Sequence, residues 1–421
     1  MNRQLSMEFV RITEQAALLA GRLMGTGDKE GADQAAVDGM HQQFAKTPVS
    51  GTVVIGEGEI DEAPMLYIGE KVGQGGEEVD IAVDPVEGTN LVAKGKDGAI
   101  AVLAIAPKGC LLHAPDMYMQ KICVGPRAKG CIDINASVTE NLTRVAKAMD
   151  REISDLTIVV LDRERHEGII REAREAGARI RLITDGDVVP SIDCGIQGSG
   201  IHMVLGSGGA PEGVLAAVGL KCLGGDMQAK LLPHTEEEVR RLHEMGITDP
   251  NKVLTLDDLV KGDDCIFSET AITDCAMLKG VRYFGGGART STLVLRYKTG
   301  TVRFVDTIHR FGEPDKRLNC KNFEKLEQNQ KYFNVYWYDE NGEMIAAGMC
   351  AQWKNDSEYM LKSFSQYYPS GGDNGQTFNY GNGGSNSGSL RDDYDNPEDL
   401  WADNQDWYED EDEAWDEWEN G

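Results

Sequence analysis

The sequence predicts an α/β fold of layered architecture over residues 1–311, followed by an extension of different character. Three observations support this reading. Short β-branched runs alternate with helix-patterned segments through the first part of the chain. The length of 421 residues suits two globular domains of ordinary size. Composition then breaks near Phe311, since all six tryptophans and nine of the thirteen tyrosines follow it.

The first element is a helix in which Leu5, Phe9, Ile12, Ala16, Leu19 and Leu23 recur at spacings of four and three, giving one apolar stripe that stops near Gly25. A second helix begins in Gly27-Asp28-Lys29-Glu30-Gly31-Ala32-Asp33. Strand-like runs follow at 53–55, 79–83, 100–105, 156–161, 180–183, 202–205 and 291–297, with helices expected at 167–178 and 211–223. No internal repeat is present. From 319 to about 368 a short helix gives way to aromatic strand-like runs at 332–338 and 344–353, joined across Asn341-Gly342, a strong hairpin signal. Residues 369–390 are rich in Gly, Ser and Asn and read as a flexible linker. Residues 391–421 carry fifteen acids and one Arg, which predicts a tail that is disordered when free.

The formal charge of −28 excludes an obvious electrostatic route to nucleic acid or anionic lipid, because neutralising phosphates requires clustered Lys and Arg. No stretch reaches the roughly 18 apolar residues of a membrane span, and the N-terminus lacks a signal peptide's apolar core, so a cytoplasmic protein is expected. Nine cysteines without a CxxC pair read as reduced thiols rather than a disulfide framework or zinc site.

The chemistry concentrates where strands run into acids. In 79–89, VDIAVDPVEGT, an apolar strand meets Asp84, Glu87 and Thr89; Pro85 is expected to end strand hydrogen bonding and Gly88 to allow a tight turn, so the three converge beyond the strand. Upstream, 53–61 leads into Glu57, Glu59 and Asp61, and Asp33 lies in the acidic start of the second helix. Singly, such acids are ordinary turn and helix-start chemistry. Together, Asp33, Glu57, Asp84 and Glu87 are hard oxygen ligands without a His or Cys pair, which suits Mg²⁺ or Mn²⁺ and disfavours zinc. Arg163 and Arg165 sit at an expected strand end and can grip a phosphate. Asp185, Gly186 and Asp187 follow another strand, with acceptors apt for sugar hydroxyls. Gly206 to Gly213 reads as a glycine-rich turn entering a helix, with Glu212 in its first turn, but it is neither a Walker loop nor GxGxxG.

Assembled in order, GDKEGAD (27–33), GTVVIGEGEIDEAPMLYIGEKVG (51–73), VDIAVDPVEGTN (79–90), APDMYMQKICVGP (114–126), DGDV (185–188) and GSGGAPEGV (206–214) resemble the class II, GlpX-type fructose-1,6-bisphosphatases of the lithium-sensitive phosphatase superfamily. The resemblance covers residues 1–311. It implies a layered αβαβα sandwich of the sugar-phosphatase type with a metal-binding half (1–150), a substrate-binding half (151–311), a site between them and often a homotetramer. It implies metal ligands at Asp33, Glu57, Asp84, Glu87 and Glu212, for Mg²⁺ or Mn²⁺. Substrate contacts are implied at Glu87, Gly88, Thr89, Tyr118, Arg163, Arg165, Asp185, Gly186, Asp187 and Gly209. Thr89, Asp33, Lys29 and Asp61 match positions implicated in catalysis. The implied reaction is removal of the 1-phosphate of fructose 1,6-bisphosphate. The Arg163-Glu164-Arg165-His166 form is similar to cyanobacterial-type members, some of which also accept sedoheptulose 1,7-bisphosphate. An inositol monophosphatase-like activity is the other enzymatic alternative. The region beyond 311 departs from the family, as a small aromatic element (312–368) and an acidic tail (369–421) whose interleaved tryptophans could bind a protein partner.

Overall fold

The computed structural model describes residues 1–58, 65–114, 117–244, 247, 249 and 251–311, together with four strands between 323 and 366. Two helices open the chain, α1 (Leu5–Gly21) and α2 (Lys29–Phe44). The α1 stripe expected from the sequence is the buried face: Leu5, Phe9, Ile12 and Ala16 are at most 3% exposed. Asp28 caps α2 by accepting the Gly31 N–H at 2.8 Å.

Strands β1 (Val49–Ile55), β2 (Lys71–Val72), β3 (Glu77–Glu87) and β4 (Ile100–Pro107) begin the first sheet, with the short α3 (Thr89–Ala93) after β3. The chain then crosses to a second sheet, made of β5 (Tyr118–Val124), β6 (Thr157–Leu161), β7 (Arg179–Ile183), β8 (Met203–Gly209), β9 (Asp226–Leu232) and β10 (Leu254–Thr255). Between those strands lie α4 (Val138–Met149), α5 (Glu167–Glu175), α6 (Val188–Asp193), α7 (Ala210–Leu223) and α8 (Glu236–Glu244), and α9 (Leu256–Leu259) follows β10. The chain returns to the first sheet with β11 (Ile266–Ala271), β12 (Arg282–Phe284), β13 (Gly287–Arg296) and β14 (Thr301–Arg310). The first sheet runs β12-β13-β11-β4-β3-β1-β2 with β14 beside β13; the second runs β10-β9-β5-β8-β6-β7, and both mix parallel and antiparallel pairs.

Three apolar clusters fill the spaces between layers. One joins α1 and α2 to the first sheet, the central one packs α6 and α7 between the sheets, and the third seats α4 and α5 on the outer face of the second sheet. The protein is therefore a layered α/β sandwich, helix–sheet–helix–sheet–helix. A sheet face must be covered to exclude water, and the central helices cover two faces at once, which explains why α7 is apolar nearly all round.

Several expectations need correction. The boundary expected at 150/151 falls inside the stretch that builds the second sheet, which begins at β5, and residues 266–310 rejoin the first sheet. Residues 206–209, expected as a loop, complete β8. The chain divides into two compact units, the larger containing all of residues 1–322. In the C-terminal region, β15 (Phe323–Lys325), β16 (Tyr332–Tyr338), β17 (Met344–Gln352) and β18 (Tyr359–Gln366) form a four-stranded sheet in that order. The two aromatic runs are strands as expected, whereas 323–325 is strand where a helix was expected. The linker and acidic tail lie outside the described residues. No helix among the described residues is long and apolar enough to cross a membrane.

Candidate active site

The site begins with an irregularity in β3. Asp84 faces Val102 of β4 and Glu87 faces Ile100, so three steps along β3 match two along β4. One extra residue in a strand is a bulge, and its effect is geometric. Positions 84 and 87 have opposite parity and would normally point to opposite faces. The bulge puts both carboxylates on the face of Ile100 and Val102, towards the central layer that holds α7. Pro85 does not end the strand as expected; it occupies the bulge, where its missing N–H interrupts no regular ladder. From α7, Glu212 in the first turn completes a trio: Asp84, Glu87 and Glu212 offer oxygens all within 4.8 Å of one another.

These acids repel one another in a dry setting. Burial first, then the charges of Glu57, Glu212 and Asp33, push the Asp84 carboxyl well above the ordinary range, although a hydrogen bond with Glu87 opposes part of the rise. Glu87, 6% exposed, is raised by burial and by Asp84, Glu212 and Asp187. Glu57 is pushed up to about 7 by burial and then by Asp33, and burial also raises Asp33 against the lowering charge of Lys29. The five acids thus form one electrostatic neighbourhood, with a tight trio and two flanking members. Carboxylates alone, without Cys or His, fit a hard divalent cation, and such an ion would relieve their repulsion.

Beyond the bulge, Gly88 adopts φ +90° and starts α3, a left-handed conformation that a side chain resists. The Thr89 hydroxyl donates to the Val86 carbonyl at 3.1 Å, which fixes its position while leaving its oxygen able to accept. Two bonds tie this segment to the stretch that enters α6, and a third ties that stretch to β5. Asn90 Nδ2 donates to Asp185 Oδ2 at 3.0 Å, and the Val188 N–H donates to Glu87 Oε1 at 3.2 Å. Asp187 meets Lys121 Nζ at 2.7 Å, with both side chains under 10% exposed. Burial alone would lower the Lys121 pKa, but Asp187 and Glu212 outweigh it and raise the group. Gly186 sits at φ +70° beside Glu87.

The guanidiniums occupy the far side of the same loops. Arg163 donates from Nη2 to the Thr184 carbonyl at 2.6 Å and from Nη1 to the Asp162 carbonyl at 3.1 Å. Arg165 lies 5.0 Å over the Tyr118 ring and bonds Ser207. Tyr118 pairs with Gly209 across β5 and β8, and a Cβ on Gly209 would collide with the Glu212 carboxylate. A Cβ on Gly208 would collide with Asp187. The glycines of β8 therefore serve close approach of acids to backbone. Lys29 is exposed at the start of α2, and Asp61 lies outside the described residues.

With this geometry in place, the comparisons with known proteins decide the lineage. Residues 3–309 match the family of bacterial fructose-1,6-bisphosphatases, glpX-encoded. The chain belongs to that family. Among its relatives is the D-fructose 1,6-bisphosphatase class 2/sedoheptulose 1,7-bisphosphatase of Synechococcus sp. (strain JA-3-3Ab), 50% identical over 76% of this chain and 100% of the relative. Proteins of the same description from Acaryochloris marina and Synechococcus elongatus are 47% and 46% identical, covering 75% and 74% of this chain and 97% and 98% of their own lengths. The family match ends at 309, at the compositional break.

Two further buried residues beside these groups, Lys121 and His166, carry only weak signals in the sequence. Lys121 is a lone cation in the apolar strand Met119–Val124, and a cation at such a position requires a buried partner. His166 was visible only as the last member of a charged turn, yet it is 1% exposed.

Proposed function

We propose that this chain is a metal-dependent sugar bisphosphatase that hydrolyses the 1-phosphate of fructose 1,6-bisphosphate to fructose 6-phosphate and phosphate. The observation that carries the reading is the convergence of Asp84, Glu87 and Glu212 within 4.8 Å in a chain of this family. Asp84, Glu87 and Glu212, flanked by Glu57 and Asp33, would hold Mg²⁺ or Mn²⁺. When bound, such ions supply Lewis-acid polarisation of the phosphoryl group and offset charge on the leaving oxygen.

The chain's own groups do the rest. Thr89, fixed by its bond to Val86, orients the attacking water through its free lone pair. Asp33 accepts the proton, a role its raised pKa suits, and Lys29 tempers that rise. Asp185 and Asp187 accept from sugar hydroxyls, with Asp187 aimed by Lys121. Arg165 and Arg163 neutralise the distal phosphate, beside Tyr118, while Gly88, Gly186 and Gly209 meet the substrate through their backbone. Such remote binding positions the reacting phosphate.

The second reading, hydrolysis of sedoheptulose 1,7-bisphosphate as well, is favoured by the dual description of the relatives. The protein is expected to act as a homo-oligomer in the cytoplasm, with its acidic tail as the segment that would bind a protein partner. The test is phosphate release from both bisphosphates and from inositol monophosphate, with and without EDTA. Release from the ketose bisphosphates that EDTA abolishes supports the proposal; EDTA-insensitive release, or preference for the inositol ester, overturns it.

A further inference from the structure

His166 is buried where the turn after β6 enters α5, and no step above uses it. Its Nδ1 lies 2.8 Å from the Leu161 carbonyl oxygen, and its Nε2 lies 2.8 Å from the backbone nitrogen of Ser207. A carbonyl can only accept and an amide N–H can only donate. The two contacts therefore fix one neutral tautomer, with the proton on Nδ1 and an acceptor at Nε2. The Ser207 hydroxyl stands 3.0 Å from the same Nε2. Gly206, just before, has φ +144°, and a Cβ there would approach the imidazole to 3.1 Å, so ring and strand backbone are already in close contact.

Ser207 is also the seat of Arg165. The guanidinium donates from Nε to the Ser207 hydroxyl at 3.0 Å and from Nη2 to the Ser207 carbonyl at 2.9 Å. Leu161, His166, Ser207 and Arg165 thus form one relay of directed bonds, ending in a guanidinium stacked over Tyr118. We propose that His166 is a positioning residue for substrate recognition: by holding Ser207 from behind, it pre-orients Arg165 towards the distal phosphate. This inference rests on the reading of Arg165 as a distal-phosphate ligand.

Holding a long side chain in its binding geometry lowers the ordering cost of binding, so the relay acts on KM rather than on kcat. It also has a pH signature. A proton on Nε2 would set N–H against the Ser207 N–H and sever the relay. The charged groups facing the imidazole are Arg163 and Arg165 on its own turn, Asp187 before α6 and Lys121 on β5. Burial is the largest influence and, helped by the two arginines, holds the His166 pKa below the ordinary value despite Asp187 and the Leu161 carbonyl. Acidification should therefore weaken substrate binding through this residue.

The test uses the Mn²⁺-loaded full chain and fructose 1,6-bisphosphate, with KM and kcat measured from pH 5 to pH 8. His166→Phe should raise KM about tenfold with kcat changed less than about twofold, the loss expected for one ordered charged side chain. His166→Gln keeps an acceptor facing Ser207 and should recover most of that loss, and because it takes up no proton, the ratio of the wild-type KM to that of this variant should rise at low pH. Ser207→Ala should raise KM by less, and should add nothing in an Arg165→Ala background. If His166→Phe does not fold, the Ser207/Arg165 cycle decides. Additive Ser207 and Arg165 effects, or an unchanged KM in Ser207→Ala while Arg165→Ala raises it, would overturn the relay alone. An unchanged KM in Arg165→Ala would bring down the distal-phosphate reading and the relay with it.

Discussion

At one end of the site, Asp84, Glu87 and Glu212 crowd within 4.8 Å, with Glu57 and Asp33 adding to the repulsion. At the other, Arg163 and Arg165 rest on neutral acceptors, the carbonyls of Asp162, Thr184 and Ser207 and the face of Tyr118. The acidic end is drawn from distant parts of the chain and is costly to assemble without a compensating cation. Both arginines of the basic end come from the single turn after β6 and are satisfied before any ligand arrives. Lys121 stands between them, paired to Asp187 and felt by Glu212. One end is thus an unfinished charge cluster completed by what it binds, and the other is a finished scaffold that only presents charge.

That contrast can be broken in four places. Asp84→Asn should lower kcat/KM by at least about three orders of magnitude at saturating Mn²⁺, since it removes a ligand from the charge-stabilising centre, while leaving the circular dichroism spectrum intact. Retained turnover would remove the trio from the mechanism. Arg165→Ala should raise KM for the bisphosphate by roughly 10- to 100-fold with little change in kcat, the value of a charge-assisted contact to phosphate. A loss confined to kcat would move this arginine from binding to chemistry.

The third concerns pH. Glu57 is pushed up to about 7, so a cation entering below that pH must displace its proton. Titration calorimetry should show Mn²⁺ affinity rising up to about tenfold per pH unit between pH 6 and 7 and levelling above it. The metal-free protein should show the opposite trend in stability. Its folded pKa exceeds the ordinary 4.5, so the native state binds more protons, and stability from this group is lost as pH rises through the window from 4.5 to about 7. An apo melting temperature that climbs across that window would contradict the electrostatic account. The smallest effect is expected from deleting residues 369–421, which should change kcat/KM less than about twofold, because the family match ends at residue 309 and every residue assigned to the site lies before it. A larger loss would make the tail part of the enzyme.

Much of the framework was legible because it is local. The α1 stripe, the runs of β1, β3, β4, β6 and β13, and the acids following β1 and β3 are patterns within a few residues. What stayed hidden depends on partners far along the chain. The residue pattern by itself left Glu212 apart from Asp84, since joining them required α7 to lie in the central layer, and only the family resemblance put Glu212 in the set; the passage from one sheet to the other at β5 left no mark at 150. Lys121 and His166 looked like an isolated cation and a member of a polar turn until Asp187 and Ser207 supplied their partners. Pro85 misled for a different reason. Its lost N–H usually stops a strand, but a bulge provides a place where that loss is harmless.

The bulge in β3 also makes spacing, rather than chemistry, the fragile property of this motif. Val86 is buried in the cluster under α1, and if the three steps from Asp84 to Glu87 ran as a regular ladder with no residue bulged out, Glu87 would turn to the α1 side of the sheet, out of reach of Glu212. Substitutions at Pro85 that let the ladder straighten should therefore cost activity without unfolding the protein.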